Sequence, residues 1–115
     1  HKENSDVLTR LEKALNVYYD SGRAVSEGVP TVKAMASEMC LSPSYFSDLV
    51  KKETGCTVQE YIQNKVVFIA KQQLAGSGKS ISEIAYDLGF QYPQHFTRMF
   101  KTVTGLTPKA YRDSN

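Results

Sequence analysis

Between Pro93 and Gly105 the chain reads "PQHFTRMFKTVTG", and its polar residues are spaced for one face of a helix. If Phe96, Met99 and Phe100 turn inward at helical spacing, then Gln94, His95, Thr97, Arg98 and Lys101 turn outward together. Their chemistry is recognition rather than turnover. The guanidinium of Arg98 can hold guanine O6 and N7 bidentately, and the amide of Gln94 can do the same for adenine N6 and N7. Thr97 and Lys101 suit phosphate oxygens. His95 suits either a base edge or a stacked place at the rim of a groove. The competing reading of Arg98 is a surface arginine paired with Asp87 or with phosphate.

An earlier stretch, "PSYFSDLVKKETG" from Pro43 to Gly55, has the same form. Turning Phe46, Leu49 and Val50 inward leaves Ser44, Ser47, Asp48 and Lys51 outward. The hydroxyls of Ser44 and Ser47 can reach base edges, although hydroxyls discriminate poorly. Asp48 can accept from cytosine N4, or it can pair with Lys51 and Lys52 three and four positions on. Lys51 and Lys52 suit phosphates. Tyr45 and Tyr92, near the two helix starts, can donate to phosphate or simply close a core.

Other chemistries lack their parts. There are two histidines, one of them at the terminus, and no Ser/His/Asp, Cys/His or clustered-carboxylate arrangement, so no catalytic residue is expected. Cys40 and Cys56 have no metal-ligand spacing, which predicts neither metal nor cofactor and fits a reduced, cytoplasmic protein. No apolar run approaches the roughly 20 residues that cross a bilayer, and no signal-peptide core is present. Hydrophobic content of 41% and charged content of 23% fit a soluble globular domain.

Net charge is only +2, but it is unevenly spread. Residues 1–30 carry four Lys/Arg against five Asp/Glu, and residues 31–115 carry ten against seven. No acid stands between Asp87 and Asp113, whereas Arg98, Lys101, Lys109 and Arg112 do. A basic stripe on a nearly neutral protein suits a polyanion, though such stripes are often solvated helix faces.

The elements that must position these residues are helices, and seven are expected in an all-α fold. The first runs from about Ser5, a possible cap, to Tyr19, with Leu8, Leu11, Leu15 and Tyr18 on one stripe. The following "SGRAVSEGVP" reads as a loop. Thr31 caps a short helix ending near Met39, and Ser42-Pro43 opens the next, stopped by Gly55. Capping boxes at Thr57–Glu60 and Ser80–Glu83 start a long helix to about Ala75 and a short one ending at Gly89. Pro93 and Thr107-Pro108 open the last two. The long helix places Tyr61, Ile62, Val66, Ile69 and Gln73 on one stripe, with Val67, Phe68 and Leu74 apolar off it, so it should pack on more than one side.

An internal repeat divides the chain into lobes. At an offset of 50, Phe46, Lys51, Thr54, Gly55, Thr57 and Tyr61 recur as Phe96, Lys101, Thr104, Gly105, Thr107 and Tyr111. At an offset of 49, Val32, Met35, Ala36, Met39 and Leu41 recur as Ile81, Ile84, Ala85, Leu88 and Phe90. Each copy has the pattern of a helix-turn-helix. Ala36 and Ala85 are the small residues where two helices cross, and Cys40 and Gly89 occupy the turn position that favours positive φ. The side chain of Cys40 is expected to be a small buried thiol. The organisation predicted is an N-terminal helix and loop over 1–30, a lobe over 31–57, a linker helix over 58–76 and a second lobe over 77–115.

The stretch "IAYDLGFQYPQHFTRMFKTVTGLTPKAYR", Ile84 to Arg112, resembles the signature of the arabinose-regulator (AraC/XylS) family of bacterial transcription regulators, and the likeness extends from about Thr31. It implies two helix-turn-helix lobes whose recognition helices enter successive major grooves of double-stranded DNA. It also implies the output domain of a longer regulator, with an N-terminal sensor domain outside this chain and RNA polymerase as a further partner. Members often carry larger or basic residues where Ser44, Ser47 and Asp48 stand, which weakens base reading by the first lobe. Lys65 stands where the family usually has arginine, and implies a structural or phosphate role. Tyr111 and Arg112 look like closing contacts of the second lobe. The alternative function is an all-α protein-interaction module, which accounts for the helices and the repeat but not for the outward Gln94, Arg98 and Lys101.

Overall fold

The computed structural model describes residues 2–114, with side chains from residue 6 onward. Eight helices follow one another: α1 (Lys2–Asp20), α2 (Arg23–Glu27), α3 (Val32–Glu38), α4 (Pro43–Thr54), α5 (Val58–Gly76), α6 (Ile81–Asp87), α7 (Pro93–Thr104) and α8 (Pro108–Ser114). No strand occurs among the described residues. The molecule measures 42 × 27 × 21 Å.

The predicted starts are made by the predicted caps. Thr31 accepts from the Ala34 amide at 3.0 Å and Ser42 from the Tyr45 amide at 3.2 Å. Both capping boxes close in both directions, Thr57 with Glu60 and Ser80 with Glu83. Two expectations fail at the N-terminus. Helix α1 begins at Lys2, so Ser5 lies inside it. The expected loop after Gly22 contains α2, which has only Ala24 buried and therefore shows no apolar period to read. Tertiary contacts hold it: Arg23 pairs with Glu27 at 2.9 Å and Glu38 at 2.7 Å and lies 4.9 Å from the Tyr18 ring centre.

Both lobes turn in the same way, and the hydrogen bonds explain the residues chosen. In the first, the Leu41 amide donates to Ala36 O and the Cys40 amide to Ser37 O, each at 3.0 Å. In the second, the Phe90 amide donates to Ala85 O and the Gly89 amide to Tyr86 O, again at 3.0 Å. This pair of bonds at a helix end is a Schellman motif, and it requires a left-handed residue. Cys40 supplies it at φ 58° and Gly89 at φ 102°. The Cys40 side chain is exposed rather than buried, because the left-handed backbone turns it away from the core.

Each turn then buries its own apolar set. Met35, Ala36, Met39, Phe46, Leu49 and Val50 are buried in the first lobe, and Ile84, Ala85, Leu88, Phe96 and Phe100 in the second. Helix α5 lies between, packing on α4 from one lobe and on α6, α7 and α8 from the other. Its Val67 and Leu74 are buried as expected for an element packed on several sides, but Phe68 is 55% exposed, with the Lys65 ammonium 5.7 Å from its ring centre.

Helix α1 belongs to both lobes at once. Val7, Leu11, Leu15 and Tyr18 are its buried stripe, with Leu8 only half-buried. Arg10 donates to Met39 O at 2.8 Å, and Tyr19 donates to Leu88 O at 3.1 Å. Met39 and Leu88 are the same position of the repeat and the C-caps of α3 and α6. Burial, and then repulsion from the charge the neighbouring Tyr18 phenol would carry, holds the Tyr19 phenol far above its usual range, which favours the protonated, donating form. Tyr18 donates to Gly28 O at 2.6 Å, which seats the α2–α3 connection against the second turn.

Gly89 therefore answers to two constraints and Cys40 to one. A Cβ on Gly89 would stand 2.5 Å from Gly28 C and 2.6 Å from Val29 N, both backbone atoms. Gly89→Ala is expected to destabilise the domain by about 2–4 kcal/mol, from the strained φ plus the displaced backbone. Cys40→Gly, which relieves a similar φ at an exposed site, is expected to stay within about 1 kcal/mol of the parent. Denaturant unfolding of the two variants checks the difference; equal losses would contradict it.

Candidate nucleic-acid interface

Helices α4 and α7 are matched elements. Each has 12 residues, a proline in its first turn and a left-handed glycine at its end, Gly55 at φ 79° and Gly105 at φ 84°. The last turn is closed by a threonine in each. Thr54 donates to Val50 O at 2.7 Å and Thr104 to Phe100 O at 2.8 Å, and each hydroxyl accepts the amide two residues on at 3.1 Å.

With Phe46, Leu49 and Val50 buried, α4 exposes Ser44, Tyr45, Asp48, Lys51 and Lys52, and leaves Ser47 half-buried. With Phe96 and Phe100 buried and Met99 half-buried, α7 exposes Gln94, His95, Arg98 and Lys101, and leaves Thr97 half-buried. Tyr92, the N-cap residue of α7, is exposed, and the His95 ring meets it edge-on with centres 5.4 Å apart. The predicted candidate residues thus lie together on the outer faces of these two helices. Ala36, Ala85, Cys40 and Gly89 form the turns behind them.

Charge on this surface is narrower than the sequence stripe suggested. Lys109 pairs with Asp113 at 2.8 Å, and Arg112 donates to Leu74 O at 2.9 Å, closing the second lobe onto α5. Tyr111 assists that closure, edge-on to Phe100 at 5.7 Å. Lys79 pairs with Asp87 at 2.7 Å, with side chains 49% and 48% exposed. So exposed a pair is screened by solvent and adds little to stability, but it occupies the carboxylate that was the alternative partner for Arg98. Among the described residues Arg98, Lys101, Lys51, Lys52 and Asp48 form no ion pair, and Asp48 has not joined the two lysines that follow it.

Lys65 is engaged elsewhere. Its ammonium lies 2.6 Å from Glu12 Oε2, and Tyr61 donates to Glu12 Oε1 at 2.8 Å. The Lys65 hydrogen bond, more than the Tyr61 one, holds the Glu12 carboxyl below the usual carboxylate range. Burial, then the bond to Glu12, pushes the Tyr61 phenol up to about 12. Sequence reasoning missed this cluster and the donors Arg10 and Tyr19, because their partners lie on distant elements. It also missed Gln63 of α5, which lines a hollow of about 210 Å³ together with His95 and Arg98.

Among the described residues no group of three or more His, Cys, Asp or Glu could hold a metal ion, and no helix is long and apolar enough to cross a membrane. A family model described as a helix-turn-helix domain matches residues 35–114, which takes in both turns, both exposed helices and the linker. The chain belongs to the AraC-type helix-turn-helix family.

Relatives of this AraC-type domain carry regulators' names. It is 37% identical over 78 residues to the regulatory protein PocR of Salmonella typhimurium, covering 68% of this chain and 26% of that one. It is 30% identical over 81 residues to the arabinose operon regulatory protein of Escherichia coli, covering 70% of this chain and 28% of that one. The chain therefore spans a third or less of these two relatives. The C-terminal domain of AraT, a response regulator from Geobacillus stearothermophilus, shares the fold at TM-score 0.80 and 23% identity, with 95% of this chain and 85% of that one covered. The DNA-binding domain of AdpA, solved with a target DNA, matches at TM-score 0.75 and 22% identity over 91% of both chains.

The Glu12 cluster gives the AraC-type domain a predictable acid response. A depressed folded pKa means that the carboxylate stabilises the fold above its unfolded pKa and ceases to do so as pH falls through the folded one. Glu12 is 44% exposed, so the effect is modest. Glu12→Gln is expected to lower stability by about 1 kcal/mol or less at pH 7, with the difference vanishing below the usual carboxylate range. Unfolding curves for both proteins between neutral and acid pH check this.

Proposed function

We propose that this domain binds double-stranded DNA sequence-specifically, with α4 and α7 in successive major grooves, as the output domain of a bacterial transcription regulator. The observation that carries the reading is the repeated, outward polar face on two matched helices, whose cations form no ion pair among the described residues. The long dimension of 42 Å is sufficient for two recognition helices about 34 Å apart, one turn of DNA. The division into lobes over 31–57 and 77–115, joined by a linker over 58–76, belongs to this reading. So do an N-terminal sensor domain, RNA polymerase as a partner and a cytoplasmic location on the nucleoid.

The roles divide by chemistry. Arg98 reads guanine and Gln94 reads adenine, with His95 beside them; Thr97, Lys101 and Tyr92 hold phosphate. In the first lobe Ser44, Ser47 and Asp48 meet base edges, while Tyr45, Lys51 and Lys52 hold phosphate. A bare Asp48 facing a polyanion restrains indiscriminate binding and gains only where a cytosine N4 donor meets it.

Footprinting on a selected site is expected to protect roughly 15–20 base pairs. Protection of a single half-site would contradict two-lobe binding, and no salt-sensitive binding at all would leave the protein-interaction module as the better reading. Arg98→Ala is expected to cost about 1–3 kcal/mol on the preferred site and to relax selection at one guanine. Lys101→Ala should weaken all sequences alike and lower the salt slope by about one unit. Equal losses for both variants on every sequence would overturn this division. In the same assay Asp48→Ala is expected to tighten binding to random duplex.

A further inference from the structure

Helix α5 has two unlike faces. On one, Tyr61 and Lys65 are tied to Glu12 of α1. On the other, Gln59, Ile62, Gln63 and Val66 face a hollow of about 410 Å³ that is closed from the second lobe by Phe90 and Met99. Gln63 borders a second hollow as well. It is the α5 residue that also lines the hollow of about 210 Å³ against α7, with His95, Arg98, Met99, Thr102 and Val103.

The inventory of that smaller hollow is uneven. Arg98 brings five N–H donors and no acceptor, and a guanine edge takes two of the donors. No carboxylate lines the hollow. Neither the Gln63 nor the Arg98 side chain has a hydrogen-bond partner among the described residues. The Gln63 amide carbonyl is the acceptor brought from a second element, and that element is held firmly. Ile62, Val66 and Val67 are buried beside it, the capping box fixes its start, and Glu12 ties its far face.

We infer that Gln63 is a positioning residue for Arg98. When Arg98 docks on the duplex, the Gln63 Oε1 would accept one guanidinium N–H, a bond not made in this structure, and the rest of the fork would thereby be aimed at the guanine. A long, flexible side chain held by a second bond docks with less loss of freedom than one held only by the base. The inference deepens the proposed function, since it assigns to the linker helix a part in reading sequence and rests on Arg98 being a base contact.

The test measures affinity for the selected duplex and for duplexes with the Arg98 guanine replaced. The proteins compared are the parent, Gln63→Met, Gln63→Glu, Arg98→Ala and the Gln63→Met/Arg98→Ala double variant. Gln63→Met keeps the length and apolar stem but loses the acceptor. It is expected to reduce preference for that guanine about 3- to 10-fold, the worth of one hydrogen bond, with the salt slope unchanged. Gln63→Glu keeps an acceptor, so it should retain the preference while weakening all duplexes through its added charge. In the Arg98→Ala background Gln63→Met should do nothing further. Thr102→Val removes the hydroxyl one turn along from Arg98 and is expected to leave the preference intact. Uniform loss in Gln63→Met, additivity with Arg98→Ala, or loss of preference in Thr102→Val instead would overturn the inference while leaving Arg98 as a base contact. If Arg98→Ala relaxes selection at no base pair, the proposed role of Arg98 fails and the inference fails with it.

Discussion

The backbones at Gly28 and Gly89 meet at a distance that no side chain on Gly89 could share. This contact brings the connection between α2 and α3 onto the turn of the second lobe, 61 positions away in the chain. The Tyr18 bond to Gly28 O holds that connection, and the Tyr19 bond to Leu88 O holds the turn beside it. Adjacent tyrosines of one helix thus grip both sides of the approach. Arg10 does for the first turn what Tyr19 does for the second, at the equivalent carbonyl. Two lobes too small to stand alone are held by a helix outside the repeat as much as by the linker within it.

The polar groups divide by how far their charge is already satisfied. Glu12, Lys65 and Tyr61 are bound to one another between α1 and α5. Arg23 is held between Glu27 and Glu38, Lys79 by Asp87, and Arg112 by carbonyls of the α5 end. Among the described residues, Lys51 and Lys52 of α4 and Arg98 and Lys101 of α7 form no ion pair, a property they share with Lys13, Lys33 and Lys71 on other helices. Unpaired cations on rigid, closely packed helices suit a polyanion, because they meet it without first breaking an internal bond. The first lobe is the poorer reader on this reasoning, since two hydroxyls and a carboxylate stand where the second has an amide and a guanidinium.

Much of this was legible in the chain itself. Caps at Thr31, Ser42, Thr57 and Ser80 act within three residues, and each formed as read. The repeat predicted two turns with Cys40 and Gly89 at their left-handed positions, and both are found there. Inward and outward faces of α4 and α7 followed from helical period alone. What escaped was non-local. Helix α2 has no apolar period and is held by Tyr18 and Glu38; Phe68 looked like core and is surface, because a linker packed by two lobes still has one side uncovered.

Local chemistry is therefore what the sequence determined by itself: which segments are helical, where they start and stop, which face of each turns inward, and that the unit occurs twice. These depend on hydrogen bonds and periodicities that span a few residues, so neighbouring letters carry them. Tertiary structure alone decided which charges are consumed and which are left. Asp87 meets Lys79 rather than Arg98, Lys65 meets Glu12, and Arg23 meets Glu38. Such pairings depend on distances between elements, and those distances are set by packing that no short stretch of sequence contains.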